Sequence, residues 1–146
     1  MTSRIALKIL IILLLSNNLL ASNQNYFEDA KMYFKKENFD QSKFLFQKFL
    51  VFNPKDHLSY LYLAKIYKQE NNQKETEKNL NTTLLLNPKN EEALFMLIEL
   101  QLERSNFVKA KELNETFSLI CLKFCKKKII ITEKLKKLES KYNTEQ

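Results

Sequence analysis

Few residues in this 146-residue chain have the chemistry to make or break a bond. Asp56-His57 is the one place where a carboxylate adjoins an imidazole, and His57 is the only histidine. Aspartate can orient an imidazole as a general base, but the base needs a nucleophile within reach. No serine or cysteine is placed to serve this pair. Read structurally, Asp56 is a helix N-cap and His57 a solvent-facing first-turn residue. Cys121 and Cys125 lie four apart, neither the C-x-x-C redox motif nor a paired zinc pattern. In an oxidising compartment two such thiols invite a disulfide. A regular helix through both would make the bridge awkward, whereas a helix ending near Leu122 would make it feasible. Glu91-Glu92 opens a helical pattern, where carboxylates complement the helix dipole. The chain has no glycine, which argues against phosphate-cradling loops and removes the G-x-S-x-G elbow. These residues predict no enzyme: no catalytic residue, no metal and no cofactor.

The elements that carry them recur. Asn53-Pro54-Lys55 and Asn87-Pro88-Lys89 stand 34 positions apart, and each ends one amphipathic run and precedes another. Tyr26 and Tyr60, Ala30 and Ala64, Tyr33 and Tyr67, and Phe46 and Leu80 are separated by the same 34 residues. A helical bundle with a coincidental proline spacing does not explain that wider recurrence. Apolar residues at i, i+3, i+4 and i+7 put one stripe on each segment. Ala30 and Ala64 are small enough for two helices to cross closely. Glu37-Asn38 and Asn71-Asn72 make polar corners. Pro54 and Pro88 cannot continue a helix and push Asn53 and Asn87 toward extended backbone. Asp56 and Asn90 are good N-caps. The pattern predicts paired helices over 24–36 with 40–52, 57–70 with 74–86, and 91–104 with 107–121. The fold class is all-α.

A unit of about 34 residues built as helix–turn–helix resembles the tetratricopeptide repeat (TPR) of the exported bacterial type. Tyr26, Ala30, Tyr33, Ser42, Phe46 and Pro54 carry the likeness in the first unit, with Asp29 and Phe49 as departures. Tyr60, Leu63, Ala64, Tyr67, Thr76, Leu80, Thr83 and Pro88 carry it best, in the second. Leu94, Leu97, Ile98, Gln101, Ala110, Asn114 and Phe117 form a degenerate third unit, with Leu122 where proline is expected. Phe39 and Phe107 fill one further aromatic slot. The resemblance implies three TPR-like repeats (23–56, 57–90, 91–124) in a short right-handed solenoid. It also implies a concave groove that binds a protein or peptide. Carried over residue by residue, Gln24, Phe27, Lys31 and Phe34, then Leu58, Leu61, Lys65 and Lys68, then Glu92, Phe95, Glu99 and Leu102 line that groove. Phe27, Lys31, Phe34, Leu61, Lys65, Lys68, Phe95 and Glu99 are its expected partner-binding residues, with the phenylalanines turned away from the interhelical core. The carboxylate-clamp subset of the family needs lysine and asparagine where Phe27 and Tyr62 stand. A grip on an acidic chain terminus is therefore not implied.

Charge and hydropathy divide the ends from the middle. The net charge is +7, yet residues 22–122 hold 14 basic and 14 acidic side chains, while 123–146 hold eight lysines and three glutamates. A nucleic-acid reader usually carries its positive charge on the folded body, so no nucleic-acid partner is expected. Arg4, Lys8, the run Ile9–Leu15 and a small residue near Ala21 make residues 1–22 a secretory signal peptide. The run is shorter than the roughly 20 apolar residues of a spanning helix, and an uncleaved inner-membrane anchor is the alternative. Residues 125–146 make a basic capping helix of about 10–17 residues and a tail. Contact of its lysines with an anionic membrane surface is the functional alternative. The sequence thus reads as an exported, periplasmic or envelope-associated scaffold binding an unidentified envelope protein or peptide. The rival reading is a membrane-anchored accessory acting by self-association or through its basic tail.

Overall fold

A computed structural model describes residues 26–144. The targeting segment read into residues 1–22 lies outside the described residues. Those described form seven helices and no strand: α1 (residues 26–35), α2 (Phe39–Phe52), α3 (His57–Gln69), α4 (Gln73–Leu86), α5 (Glu91–Glu103), α6 (Phe107–Ile120) and α7 (Cys125–Thr144). The first six are the helices that the periodicity predicts. α7, at 20 residues, is longer than expected, because it takes in Lys126–Ile131 as well as the Leu135 stripe. Among the described residues no helix is long and apolar enough to cross a membrane.

Three corners share one construction without a glycine. Glu37, Asn71 and Ser105 are left-handed, with φ of 58°, 55° and 57°. After α1 the amide of Glu37 donates to Phe34 O (3.0 Å) and that of Asn38 to Tyr33 O (3.0 Å). After α3 Asn71 donates to Lys68 O and Asn72 to Tyr67 O; after α5 Ser105 donates to Leu102 O and Asn106 to Gln101 O. This is the Schellman pattern, whose left-handed position is usually glycine. The next residue, Asn38, Asn72 or Asn106, then caps the following helix by accepting from the amide of Gln41, Glu75 or Lys109. Two further corners turn at Pro54 and Pro88. There the amides of Asn53 and Asn87 close the preceding helix on Phe49 O and Thr83 O. Asp56 and Asn90 cap the next one through the amides of Ser59 (2.7 Å) and Ala93 (2.9 Å).

The chain divides into two compact units, up to Ser59 and from Tyr60. In the first, Ala30 and Phe46 are fully buried and Leu45 nearly so. Ser42, also buried, donates its hydroxyl to Ala30 O at 2.9 Å, which satisfies a polar group at the α1–α2 crossing. In the second unit α5 is the central helix, burying Ala93–Ile98, Leu100 and Gln101. One side of its core joins Leu61, Ala64, Leu80, Ala93, Met96, Leu97 and Leu100. The other joins Leu94, Phe95, Ile98, Ala110 and Phe117 with Ile131 and Leu135 of α7.

Two departures in the third repeat have different consequences. Gln101, 34 residues after Tyr67 and so in the slot that Tyr33 and Tyr67 fill, is buried and tied into polar contacts. Its Nε2 donates to Glu77 (3.0 Å) and its Oε1 accepts from Asn106 (3.1 Å), while Arg104 reaches both Glu77 and Gln73. Asn114, in the slot that Phe46 and Leu80 fill in the earlier repeats, keeps a buried Oδ1 with no protein hydrogen-bond partner.

Candidate partner-binding surface

The expected groove residues fall on the first helix of each repeat, and their placement differs from the sequence reading. Phe27 does not turn away from the interhelical core. It is half-buried on α2, with ring centroids 5.7 Å from Phe46 and 5.3 Å from Phe49. Lys31 stands over the Phe27 ring at 5.3 Å and pairs with Glu28 at 3.0 Å. Phe34 is half-buried edge-on to Phe39 at 5.7 Å. A ring of this size near a helix crossing gains more from partial burial than from full exposure. These residues all belong to the first unit.

In the second unit the basic middle and acidic end of the expected groove neutralise each other. Lys65 pairs with Glu92 at 2.8 Å, and Lys68 with Glu99 at 3.1 Å and Glu103 at 4.0 Å. Lys65 also stands 4.9 Å over the Tyr62 ring. The pairs run from α3 to α5 along one face and are partly buried. A cleft of about 120 Å³ adjoins them, lined by Lys68, Asn71, Gln73, Thr76, Leu100 and Glu103. Leu61 is no part of an open surface; it is 4 % exposed, packed in the core shared with α5.

Phe95 departs furthest from expectation. It is 8 % exposed, against Phe117 (6.3 Å) and Phe124 (6.4 Å), with Lys127 of α7 standing 4.5 Å over its ring. α7 covers the place where a further repeat would stack, so the third repeat's groove aromatic becomes core.

What fixes α7 there is Glu91, which the sequence offered only as a dipole complement. Its Oε2 accepts from three successive amides, Leu122 (2.9 Å), Lys123 (3.0 Å) and Phe124 (2.9 Å). The Phe124 amide contributes most to holding the carboxyl below its ordinary value; partial desolvation opposes it, and the Leu122 and Lys123 amides and the Lys123 charge add to it. The same turn is closed by a disulfide. α6 ends at Ile120, Cys121 is extended (φ −62°, ψ 134°) and α7 begins at Cys125. The helix break brings the Cα atoms to 5.2 Å and the Cys121–Cys125 bridge forms. No sequence signal pointed to Glu91, because its partners are backbone amides over 30 residues away.

The other candidate chemistry is spent on structure. Asp56 caps α3, and no group of three or more His, Cys, Asp or Glu side chains able to hold a metal occurs among the described residues.

No protein-family model and no curated protein matches the sequence. Solved structures do match, at low identity. The Yersinia enterocolitica type III secretion chaperone SycD, in complex with a peptide of the translocator YopD, superposes with a TM-score of 0.72 at 12 % identity, over 82 % of this chain and 93 % of that one. The TPR2B domain of yeast Sti1, in a complex with Hsp70, gives 0.72 at 13 %, over 79 % and 96 %. The first TPR domain of Spaghetti (RPAP3), bound to the HSP90 peptide SRMEEVD, gives 0.68 at 17 %, over 83 % and 93 %. At these identities the likeness is one of fold, and that fold is the tetratricopeptide repeat.

Proposed function

We propose that this chain is a non-catalytic interaction scaffold of the bacterial cell envelope, holding a protein or peptide on the face built by α3 and α5. The observation that carries this reading is the TPR fold itself, whose solved examples SycD and the RPAP3 domain hold peptides. The α3–α5 face offers suitable material: a partly buried row of Lys65–Glu92 and Lys68–Glu99 pairs beside a small cleft. Because those charges are already paired, the favoured partner is not a strongly acidic terminus such as the SRMEEVD peptide. Envelope location is supported by the signal-like segment at residues 1–22 and by the Cys121–Cys125 disulfide, a bond that persists in oxidising compartments. The rival, a membrane-anchored accessory, draws support from the outward side of α7.

A photo-crosslinking amino acid at Lys65 or Glu99, with Lys111 on α6 as control, tests the groove in native envelopes. Discrete adducts from the first two sites and none from Lys111 are expected. Adducts from Lys111 alone would refute the groove. N-terminal sequencing of the native protein separates a cleaved signal from an anchor, which would leave Met1 in place.

A further inference from the structure

The outward side of α7 is not what a terminal cap requires. A helix closing a stack of repeats turns an apolar face inward and a polar face to water. Here Ile131 and Leu135 face inward, 1 % and 6 % exposed. Ile129 and Ile130, their neighbours in sequence, are 63 % and 48 % exposed, and Leu122 in the disulfide-closed turn is 86 % exposed. At about 100° per residue, Lys126, Ile129, Ile130, Glu133, Lys136 and Lys137 occupy the half of the helix opposite Ile131 and Leu135. All six are exposed, and Glu133 is the one carboxylate among them.

We propose that this side of α7, with the turn before it, docks on an anionic lipid bilayer. Leu122, Ile129 and Ile130 enter the boundary between headgroups and acyl chains, and Lys126, Lys136 and Lys137 lie at the level of the phosphates. The choice of occupant rests on residue type and charge. Protein interfaces favour aromatic residues and arginine and are poor in lysine. This face has neither an aromatic nor an arginine, and every cation from residue 123 onward is lysine. Aliphatic side chains flanked by lysines are the composition of interfacial helices, whose lysine stems reach from apolar depth to the headgroups. The turn presents Leu122 because its own amide is held on Glu91, which leaves the side chain pointing out. This inference rests on the envelope location proposed above and is independent of the groove.

The chain contains no tryptophan, so Ile130→Trp in the full-length protein gives a single reporter on this face. On mixed phosphatidylcholine–phosphatidylglycerol vesicles its emission shifts to the blue, and partitioning is at least about tenfold tighter than on phosphatidylcholine alone. High salt, or Lys126→Glu with Lys136→Glu and Lys137→Glu, removes that preference while the helical circular dichroism is kept. Two results overturn the proposal. One is an unshifted emission on vesicles that sediment with the protein, since residues 1–22 rather than α7 would then hold it. The other is a blue shift that grows with protein concentration in the absence of lipid, which would assign the face to a second copy. Neither result touches the groove, which the crosslinking experiment tests separately.

Discussion

Replacing the left-handed corner residues by glycine stabilises the protein by amounts that rank with side-chain type. A residue with a Cβ carries about 1–2 kcal/mol of steric cost in the left-handed region. Glycine removes that cost but adds backbone freedom to the unfolded chain, which offsets about 0.5–1 kcal/mol. Glu37, at φ 58° and exposed, therefore gains about 0.5–1 kcal/mol on Glu37→Gly. Asn71 already tolerates this region by virtue of its short polar side chain, so Asn71→Gly gains at most a few tenths of a kcal/mol. Ser105→Gly falls between the two. Summed over the three corners, the triple variant gains about 1–2 kcal/mol. Urea denaturation followed by far-ultraviolet circular dichroism reads this as a higher midpoint with an unchanged slope. Glu37→Ala is the control: it removes the charge, keeps the Cβ and gains nothing. If Glu37→Ala matches Glu37→Gly, or Asn71→Gly outranks it, backbone strain at the corners is the wrong account.

Further outcomes follow from the packing and the polar contacts. Ala64→Leu overfills a fully buried site among Leu61, Leu80 and Ala93 and costs about 1–3 kcal/mol. Lys65→Ala loses its partly exposed pair with Glu92 and its place over the Tyr62 ring, together about 1 kcal/mol; equal denaturation midpoints would contradict the placement. Phe95→Ala costs about 3–5 kcal/mol by emptying the core beneath α7. Asn114→Leu removes a buried, unpartnered acceptor and raises stability by about 1 kcal/mol, read as a higher melting temperature. Because the carboxyl of Glu91 sits below its ordinary pKa of 4.5, its contribution is complete above that pH and is lost as pH falls through the lowered value. Proteolysis of α7 should therefore accelerate below about pH 4.5 in the natural chain. Glu91→Gln should be cleaved faster at neutral pH and show little of that acid dependence.

The helices were legible because their signals are local. Paired tyrosines, alanines and prolines at one spacing place six helices, and Asp56 and Asn90 cap as their types predict. The corners were legible only as polar: a left-handed glutamate follows from the Schellman bonds to Tyr33 and Phe34, which a residue-type rule anchored on glycine overlooks. The candidate surface was less legible, for physical reasons that differ from residue to residue. Transfer from the family pattern treats each repeat as having a neighbour on both sides. Phe95 has α7 as that neighbour and becomes core. Leu61 is covered by α5. Lys65 and Lys68 meet Glu92 and Glu99 because a helix face is read across repeats, between residues 27 and 31 positions apart. No single-segment periodicity contains that information.

The clasp on Glu91 also imposes an order of events in time. Its three donors lie 31, 32 and 33 residues further along the chain, beyond all of α5 and α6. Synthesis delivers the N-terminal side first, so the acceptor exists well before anything can occupy it. Until Leu122 to Phe124 emerge and α7 follows, Phe95, Ile98 and Phe117 have no Ile131 or Leu135 to cover them. During that interval the uncovered side of α5 and α6 offers a sticky apolar surface to chaperones and to other unfinished chains, and arrival of α7 closes the period of risk.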